Sequence, residues 1–127
     1  MQVEQYRQYL DMMNQWLILR QEGKNIGEYL KKKGYQAVAV YGMAMYGRHV
    51  IRELSGRDIT ISYGIDRKKM KPYKDIKVLQ PTEKLPSTDI IINTVIHENA
   101  NIAAALANLT DIPVVSLEEI VFGSYDQ

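Results

Sequence analysis

A predicted strand passes into a predicted helix through the residues Val40-Tyr41-Gly42-Met43-Ala44-Met45-Tyr46-Gly47-Arg48. The apolar run that begins at Ala37 and ends at Tyr41 is typical of a strand buried on both faces of a parallel sheet. Beyond the segment, apolar residues recur at helical spacing as far as Leu54. The segment therefore predicts a strand, a glycine-rich turn and a helix in direct succession.

The same alternation continues on both sides of this unit. Further strands are predicted over residues 59–66, 76–79, 89–95 and 113–115, with helices over 98–109 and 116–122. Two helices precede the first strand, over 2–20 and 25–33. Capping-box pairs support two helix starts, Asn25 with Glu28 and Ser116 with Glu119.

Alternating strands and helices predict an α/β fold with helices on a parallel sheet. Right-handed crossovers then give a Rossmann-like, doubly wound sheet of about five strands in the order 3-2-1-4-5. We expect one domain over residues 1–127, in which 1–34 form a helical extension and 35–122 form the α/β core.

The turn resembles the dinucleotide-binding fingerprint G-x-G-x-x-G, with Gly42, Ala44 and Gly47 at the three glycine positions. In this pattern Gly42 permits the tight turn and Gly47 lets the helix pack closely, while the helix-start N–H groups face a phosphate. Asp66 follows the next strand about 20 residues later, where an acid accepts hydrogen bonds from ribose hydroxyls. Ala44 leaves less room for a pyrophosphate than glycine, so a purely structural role for both glycines stays the alternative.

Two matching stretches, Gly42–Gly47 and Gly64–Asp66, carry a family resemblance. Over roughly residues 35–122 the chain is similar to the N-terminal nucleotide-sugar-binding domain of bacterial sugar O-acyltransferases. It also resembles NAD(P)-binding domains associated with surface-polysaccharide synthesis. The resemblance implies a nucleotide ligand and a link to bacterial sugar or surface-polysaccharide metabolism. It implies no acyl transfer, because the acetyltransferase domain of those enzymes is absent from this sequence.

Further candidate residues follow the strands. Arg67 begins a loop with six basic residues and one acid, which either holds a 2′-phosphate or a sugar diphosphate or is simply a solvated surface. Thr94 and His97 follow the most apolar strand, at the edge where such sheets bind ligands. The predicted nucleotide-binding residues are Gly42, Met43, Ala44, Met45, Tyr46, Gly47, Arg48, Asp66, Arg67, Thr94 and His97. No catalytic residue is assigned.

Composition excludes several functions. The 127 residues carry a net charge of +1, which argues against nucleic-acid binding. Without cysteine there are no disulfides or thiolate metal sites, and two histidines distant in sequence predict no metal centre. The sequence contains no apolar run of membrane-spanning length and no secretion signal at its start, so we expect a cytoplasmic protein.

The first helix has an unusually broad apolar face. Its members are Tyr6, Tyr9, Leu10, Met12, Met13, Trp16, Leu17 and Leu19. Part of this face should pack on the sheet. The remainder either packs there as well or forms a homodimer through residues 2–20.

Three functions fit these observations. The first is a nucleotide-binding module for NAD(P) or a UDP-sugar, lacking the part of an enzyme that performs the chemistry. The second is an NAD(P)-dependent oxidoreductase whose site lies at a dimer interface. The third is a ligand-free Rossmann-like interaction module that acts through its helical face.

Overall fold

The computed structural model describes residues 1–126. Its five helices are α1 (Val3–Gln21), α2 (Ile26–Lys32), α3 (Met45–Leu54), α4 (Asn99–Ala107) and α5 (Leu117–Gly123). Its five strands are β1 (Ala37–Tyr41), β2 (Thr60–Ile65), β3 (Val78–Leu79), β4 (Ile90–Asn93) and β5 (Val114–Ser116). A short 3₁₀ turn, Ile96–Glu98, leads into α4.

All five strands are parallel and lie in the order β3-β2-β1-β4-β5, which confirms the predicted doubly wound sheet. The register aligns the strand ends, because Tyr41 pairs with both Ile65 of β2 and Asn93 of β4. The next residue of each strand therefore reaches the same edge of the sheet. This alignment brings the turns after β1, β2 and β4 together.

The sheet is covered on both faces because successive strand side chains point in opposite directions. On β1, Val38 and Val40 join the larger apolar cluster, which includes residues of α1, α2, α3 and α5. Ala39 and Tyr41 join the smaller cluster, which includes residues of α4. This two-sided burial explains why β1 and β4 are almost continuously apolar.

The apolar face of α1 divides into two parts. Tyr9, Met12, Trp16 and Leu19 are buried against the body of the protein. The other large apolar side chains at Tyr6, Leu10 and Leu17 remain exposed. Of the two alternatives for the remainder of this face, packing on the same fold is therefore not observed for Tyr6, Leu10 and Leu17.

Several boundaries and caps differ from the sequence-based expectation. Helix α3 starts at Met45, which places Gly47 in its first turn. Strand β3 is shortened to Val78–Leu79, because Ile76 pairs with Tyr73 in an antiparallel bridge. Ser116 caps α5, but its hydroxyl accepts from the N–H of Glu118, so the predicted pairing with position 119 was wrong.

The Asn25 half of the capping box predicted for α2 is present. The Asn25 side-chain oxygen accepts a hydrogen bond from the backbone N–H of Glu28 at 3.0 Å. The backbone N–H of Ile26 donates instead to the carboxylate of Glu53, at 2.9 Å. A carboxylate of α3 therefore completes the N-terminal hydrogen bonding of α2 and ties the helical extension to the core.

Candidate functional site

Three turns meet at the carboxyl edge of the sheet. Gly42 follows β1, Asp66 follows β2, and Thr94 follows β4. The connection from β1 runs to β2 on one side and the connection from β4 runs to β5 on the other, so the direction of the connections reverses between β1 and β4. Parallel α/β sheets bind ligands in the crevice at such a switch point.

The turn after β1 has little conformational freedom. Gly42 has φ +89°, a left-handed conformation that glycine adopts at low cost, and its N–H donates to the Ile65 carbonyl at 2.8 Å. The buried Thr94 hydroxyl lies 2.8 Å from the Tyr41 carbonyl oxygen and 3.0 Å from that of Gly42. A Cβ atom at Gly42 would overlap this hydroxyl. Thr94 therefore holds the turn in place, and its hydroxyl proton is already donated to backbone carbonyl oxygens.

Gly47 sets the distance between the turn and α3. A Cβ atom at this position would overlap the carbonyl oxygen of Gly42. Only a residue without a side chain lets the first turn of α3 pack this closely against the glycine turn. The helix start is thereby placed at the edge of the sheet, beside the end of β1.

The N-terminus of α3 has no side-chain cap. Its N-cap residue is Ala44, which offers no hydrogen-bond acceptor, and the first turn contains no acidic residue. Ala44 and Met45 are exposed at this end of the helix. The N–H groups of a first helical turn and the positive end of the helix dipole favour an anion.

Asp66 connects the ends of β1 and β2. Its Oδ2 accepts from the backbone N–H of Met43 at 2.9 Å, and its Oδ1 accepts from that of Lys68 at 2.9 Å. Each carboxylate oxygen has a second lone pair that can accept a further hydrogen bond. The side chain of Met43 is buried, where it occupies the space beside Gly64. Met43 therefore contributes its backbone to this edge, and its side chain belongs to the core.

A cleft of about 210 Å³ opens between the ends of β1, β2 and β4. Its lining combines an apolar wall, an acidic pair and a basic rim. The wall includes Val95 and Ile102, and the acids are Asp66 and Glu98. The full lining is Tyr41, Gly42, Asp66, Arg67, Lys68, Val95, Glu98 and Ile102.

Arg48 is not part of the lining of this cleft. Its guanidinium carbon lies 4.8 Å from the centroid of the Tyr73 ring, a cation–π geometry that attaches the basic loop to α3. The second arginine of this contact is Arg52, at 5.8 Å from the same ring. The basic loop is therefore partly anchored through Tyr73, whose neighbours Lys74 and Asp75 adopt positive φ.

His97 interacts with α1. Its Nδ1 lies 2.8 Å from the hydroxyl of Tyr9, and the Tyr9 ring stacks on Tyr46 with 4.7 Å between the centroids. Burial raises the pKa of Tyr9 above its ordinary value of 10.0, although its neighbours at His97 and Ile96 oppose that shift. These contacts attach α1 beside the first turn of α3.

The structure brings part of the predicted set together. Gly42, Asp66 and Arg67 line the cleft. Ala44, Met45, Tyr46 and Gly47 form the adjoining helix start. The side chains of Met43, Arg48, Thr94 and His97 engage the protein in the ways described above.

Sequence reasoning did not assign Tyr41, Val95 and Ile102 to the cleft. All three are apolar or aromatic residues in, or next to, regular elements, where the sequence pattern indicates ordinary core packing. Tyr41 and Val95 come beside Gly42 through the strand register, and Ile102 does so through the packing of α4. The one available signal is that Val95 lies two residues after the end of β4, at the ligand-binding edge of the fold.

Two further observations apply to residues 1–126. No cluster of three histidine or carboxylate side chains within that range has the arrangement needed to hold a metal ion. None of the helices described combines the length and the apolar character that crossing a membrane requires.

Comparison with protein-family models, curated proteins and solved structures finds no match to this chain.

Proposed function

We propose that the cleft binds the nucleoside part of a phosphorylated nucleotide, either NAD(P) or a nucleotide sugar such as a UDP-sugar. The proposal rests on one observation: Asp66 and the uncapped N-terminus of α3 both lie at the carboxyl ends of the strands. The base would contact Val95 and Ile102, and the ribose hydroxyls would donate to Asp66. The phosphates would then face the backbone N–H groups of the first turn of α3.

The size of the cleft supports a ligand that is only partly enclosed. Pockets for drug-sized ligands typically measure about 300–1,000 Å³, whereas this cleft measures about 210 Å³. One nucleoside is therefore the part that the cleft would enclose. The remainder of the ligand would lie over the exposed residues Ala44 and Met45, where the Ala44 methyl group limits close approach to the backbone.

The basic rim bears on the choice of nucleotide. Arg67 and Lys68 both line the cleft next to Asp66. A phosphate on the ribose 2′-oxygen would contact these cations but would repel the neighbouring Asp66 carboxylate, so the rim favours NADP whereas Asp66 favours NAD. A nucleotide sugar would use the same cations for its diphosphate.

The two other functions remain alternatives. An NAD(P)-dependent oxidoreductase would need a substrate site and an acid or base from a second subunit. The contact between Asp66 and Met43 supports a ligand-free interaction module, because the carboxylate already accepts a hydrogen bond from an N–H group of the glycine turn.

The link to bacterial sugar or surface-polysaccharide metabolism rests on the resemblance of the glycine turn and of Gly64–Asp66. Homodimer formation through residues 2–20 would use a different surface, so pairing and ligand binding can be tested separately.

The proposal is tested by titrating the protein with AMP, NAD, NADP and UDP-glucose while following its thermal unfolding. A ligand present at 100 times its Kd stabilises the folded protein by about 2.7 kcal/mol, so the midpoint should rise by several degrees. Lys68→Glu should weaken the binding of the effective ligand at least tenfold, because the substitution reverses a charge at the rim.

The matched control is Lys71→Glu, which makes the same charge change in the same loop outside the cleft lining. This variant should bind within about twofold of the wild type. An unchanged midpoint with every nucleotide at millimolar concentration would contradict the proposal and support the interaction module. Equal weakening by both variants would show non-specific attraction to the basic loop.

A further inference from the structure

The outer face of α1 carries a regular apolar stripe that is largely exposed. Val3, Tyr6, Leu10 and Leu17 are between 58% and 73% exposed. Met13, partly buried, occupies the remaining position of the same stripe. The spacing alternates between three and four residues, which is the pattern of a helix that packs against another helix.

A groove lies directly beside this stripe, between α1 and α3. Trp16 and His49 are in edge-to-face contact, with 6.2 Å between their ring centroids, and Trp16 Nε1 donates to Glu53 at 3.0 Å. The groove has a volume of about 360 Å³, and its walls include Met13 and Leu17 of α1 and Arg52 of α3. One surface thus presents both a row of protruding apolar side chains and a groove that is partly lined by apolar side chains.

Exposed large apolar residues are concentrated at the N-terminus and on α1. Of the eight large hydrophobic residues exposed among those that the structure describes, five lie there. These five are Met1, Val3, Tyr6, Leu10 and Leu17. The other three are Met45, Leu109 and Phe122.

The stripe supplies a large part of the apolar area that a dimer needs. Complete burial of a large apolar side chain hides about 60–120 Å² of apolar surface. Val3, Tyr6, Leu10 and Leu17 are already partly covered, so together they would contribute about 160–310 Å² per copy. A standard interface buries about 800 Å² per partner, of which a little over half, about 450 Å², is apolar. The stripe therefore supplies about one to two thirds of that apolar area, and the walls of the adjoining groove add to it.

Charge favours one orientation of the two copies. Residues 3–11 of α1 carry Glu4, Arg7 and Asp11, whereas residues 12–21 carry only Arg20. The wall of the groove beside this second half contains Arg52 and Glu53 of α3, and Glu53 forms an ion pair with Arg20 at 3.2 Å, so two cations and one acid leave this region with a net charge of +1. An antiparallel arrangement places the acidic half of each α1 near the basic half of the other, and it also opposes the two helix dipoles. A parallel arrangement would place like charges together.

We propose that a second copy of this chain docks on the stripe of α1 and the adjoining groove, forming a twofold-symmetric, antiparallel dimer centred near Leu10. A ridge and a groove on the same surface are what a self-complementary, isologous interface requires. With a net charge of +1, the two copies repel each other only weakly. This inference is independent of nucleotide binding, because the interface lies outside the lining of the cleft.

Cysteine cross-linking tests both the existence and the orientation of the dimer, since the natural chain has no cysteine. A disulfide requires Cα atoms within about 7 Å. Mild oxidation should therefore link Leu10→Cys to itself, whereas Val3→Cys and Leu17→Cys should stay largely unlinked when present singly. Mixing these last two variants should give the heterodisulfide, because Val3 lies opposite Leu17 of the second copy. Self-linking of all three would overturn the antiparallel arrangement.

Sedimentation equilibrium of the full chain provides the second measurement. The wild type should be dimeric at 100 µM, and Leu10→Glu should be monomeric with an unchanged circular dichroism spectrum. Leu109→Glu, the same change at an exposed leucine outside the stripe, should remain dimeric. A monomeric wild type, or a dimer that survives Leu10→Glu, would overturn the proposal. The nucleotide titration is read separately, so a failed dimer leaves the nucleotide proposal intact.

Discussion

The carboxylate of Asp66 accepts a hydrogen bond from the backbone N–H of Met43, with 2.9 Å between Oδ2 and the nitrogen. Asp66 lies at the end of β2, and Met43 lies in the turn that follows β1. The acid that we propose contacts a ribose therefore also shapes the turn that we propose faces a phosphate. Stability and ligand affinity should consequently change together when this acid is altered.

Replacing Asp66 by alanine should destabilise the protein by about 2 kcal/mol, because the N–H groups of Met43 and Lys68 both lose their acceptor. Asp66→Asn keeps one acceptor oxygen and should cost about half as much. Urea unfolding measures both values. Both variants should also weaken nucleotide binding at a temperature where each is fully folded. An affinity equal to that of the wild type would contradict the proposed contact of Asp66 with a ribose. It would not contradict the structural role of the carboxylate.

Gly47→Ala should cost about 3 kcal/mol, because the added methyl group would overlap the rigid carbonyl oxygen of Gly42. Gly64→Ala provides the matched comparison. There the added Cβ would approach Met43 Sδ to 2.6 Å, and a flexible thioether side chain can move away. We expect a cost of about 1 kcal/mol at Gly64. Equal losses in chemical unfolding would show that backbone rigidity does not decide the outcome.

Glu53→Ala should destabilise the protein by about 3 kcal/mol. The Glu53 side chain is only 8% exposed, and it accepts from Trp16 Nε1 at 3.0 Å and from the Ile26 N–H at 2.9 Å. Its removal leaves two donors without an acceptor, and each unsatisfied donor lowers the free energy of unfolding by about 1–3 kcal/mol. Glu4→Ala removes the carboxylate of an exposed ion pair and should change stability by less than about 0.5 kcal/mol. Guanidinium unfolding and tryptophan fluorescence would report both effects.

The stability contributed by Asp89 should depend on pH. The backbone N–H groups of Gln36 and Ala37 donate to its carboxylate at 2.8 and 2.9 Å, and these bonds lower the pKa of Asp89 below its ordinary value of 3.8. A lowered pKa in the folded state means that the contribution is complete above the unfolded-state pKa. It is lost as the pH falls through the folded-state pKa.

The test compares the thermal midpoints of the wild type and Asp89→Asn between pH 6 and pH 2. Their difference should shrink as the pH falls below about 3.8, the ordinary pKa of the carboxyl group. Asp111→Asn serves as the control, because Asp111 is exposed in the loop before β5. A difference for Asp89→Asn that is the same at pH 2 and pH 6 would argue against the two hydrogen bonds.

Much of the architecture follows from local patterns. Continuous apolar runs predict the two central strands, since only a strand covered on both faces tolerates such a run. The order 3-2-1-4-5 follows from alternating elements and right-handed crossovers. The prediction was less accurate in the basic loop before β3. There Ile76 pairs with Tyr73 across a turn through Lys74 and Asp75, both with positive φ, instead of extending β3.

The residues at the candidate site show the same division. The glycine turn and the acid after β2 are recognisable in the sequence, because their spacing reflects backbone geometry within one strand–helix–strand unit. The partner of each side chain depends on contacts between distant parts of the chain. Thr94 holds the turn of Gly42, and Arg48 lies on Tyr73. Local periodicity places a residue on a strand or helix, but it contains no information about which remote group its side chain meets.

Helix α1 illustrates the distinction most clearly. Its sequence determines an amphipathic helix with an apolar face too broad for one contact. Folding then selects which residues become core: Trp16 is covered by α3, while Leu10 stays exposed. The helical period determines which side chains share a face, but the position of the neighbouring helices determines which of them lose contact with water. The exposed stripe and the cleft beside Asp66 are therefore consequences of packing, even though every residue in them is present in the sequence.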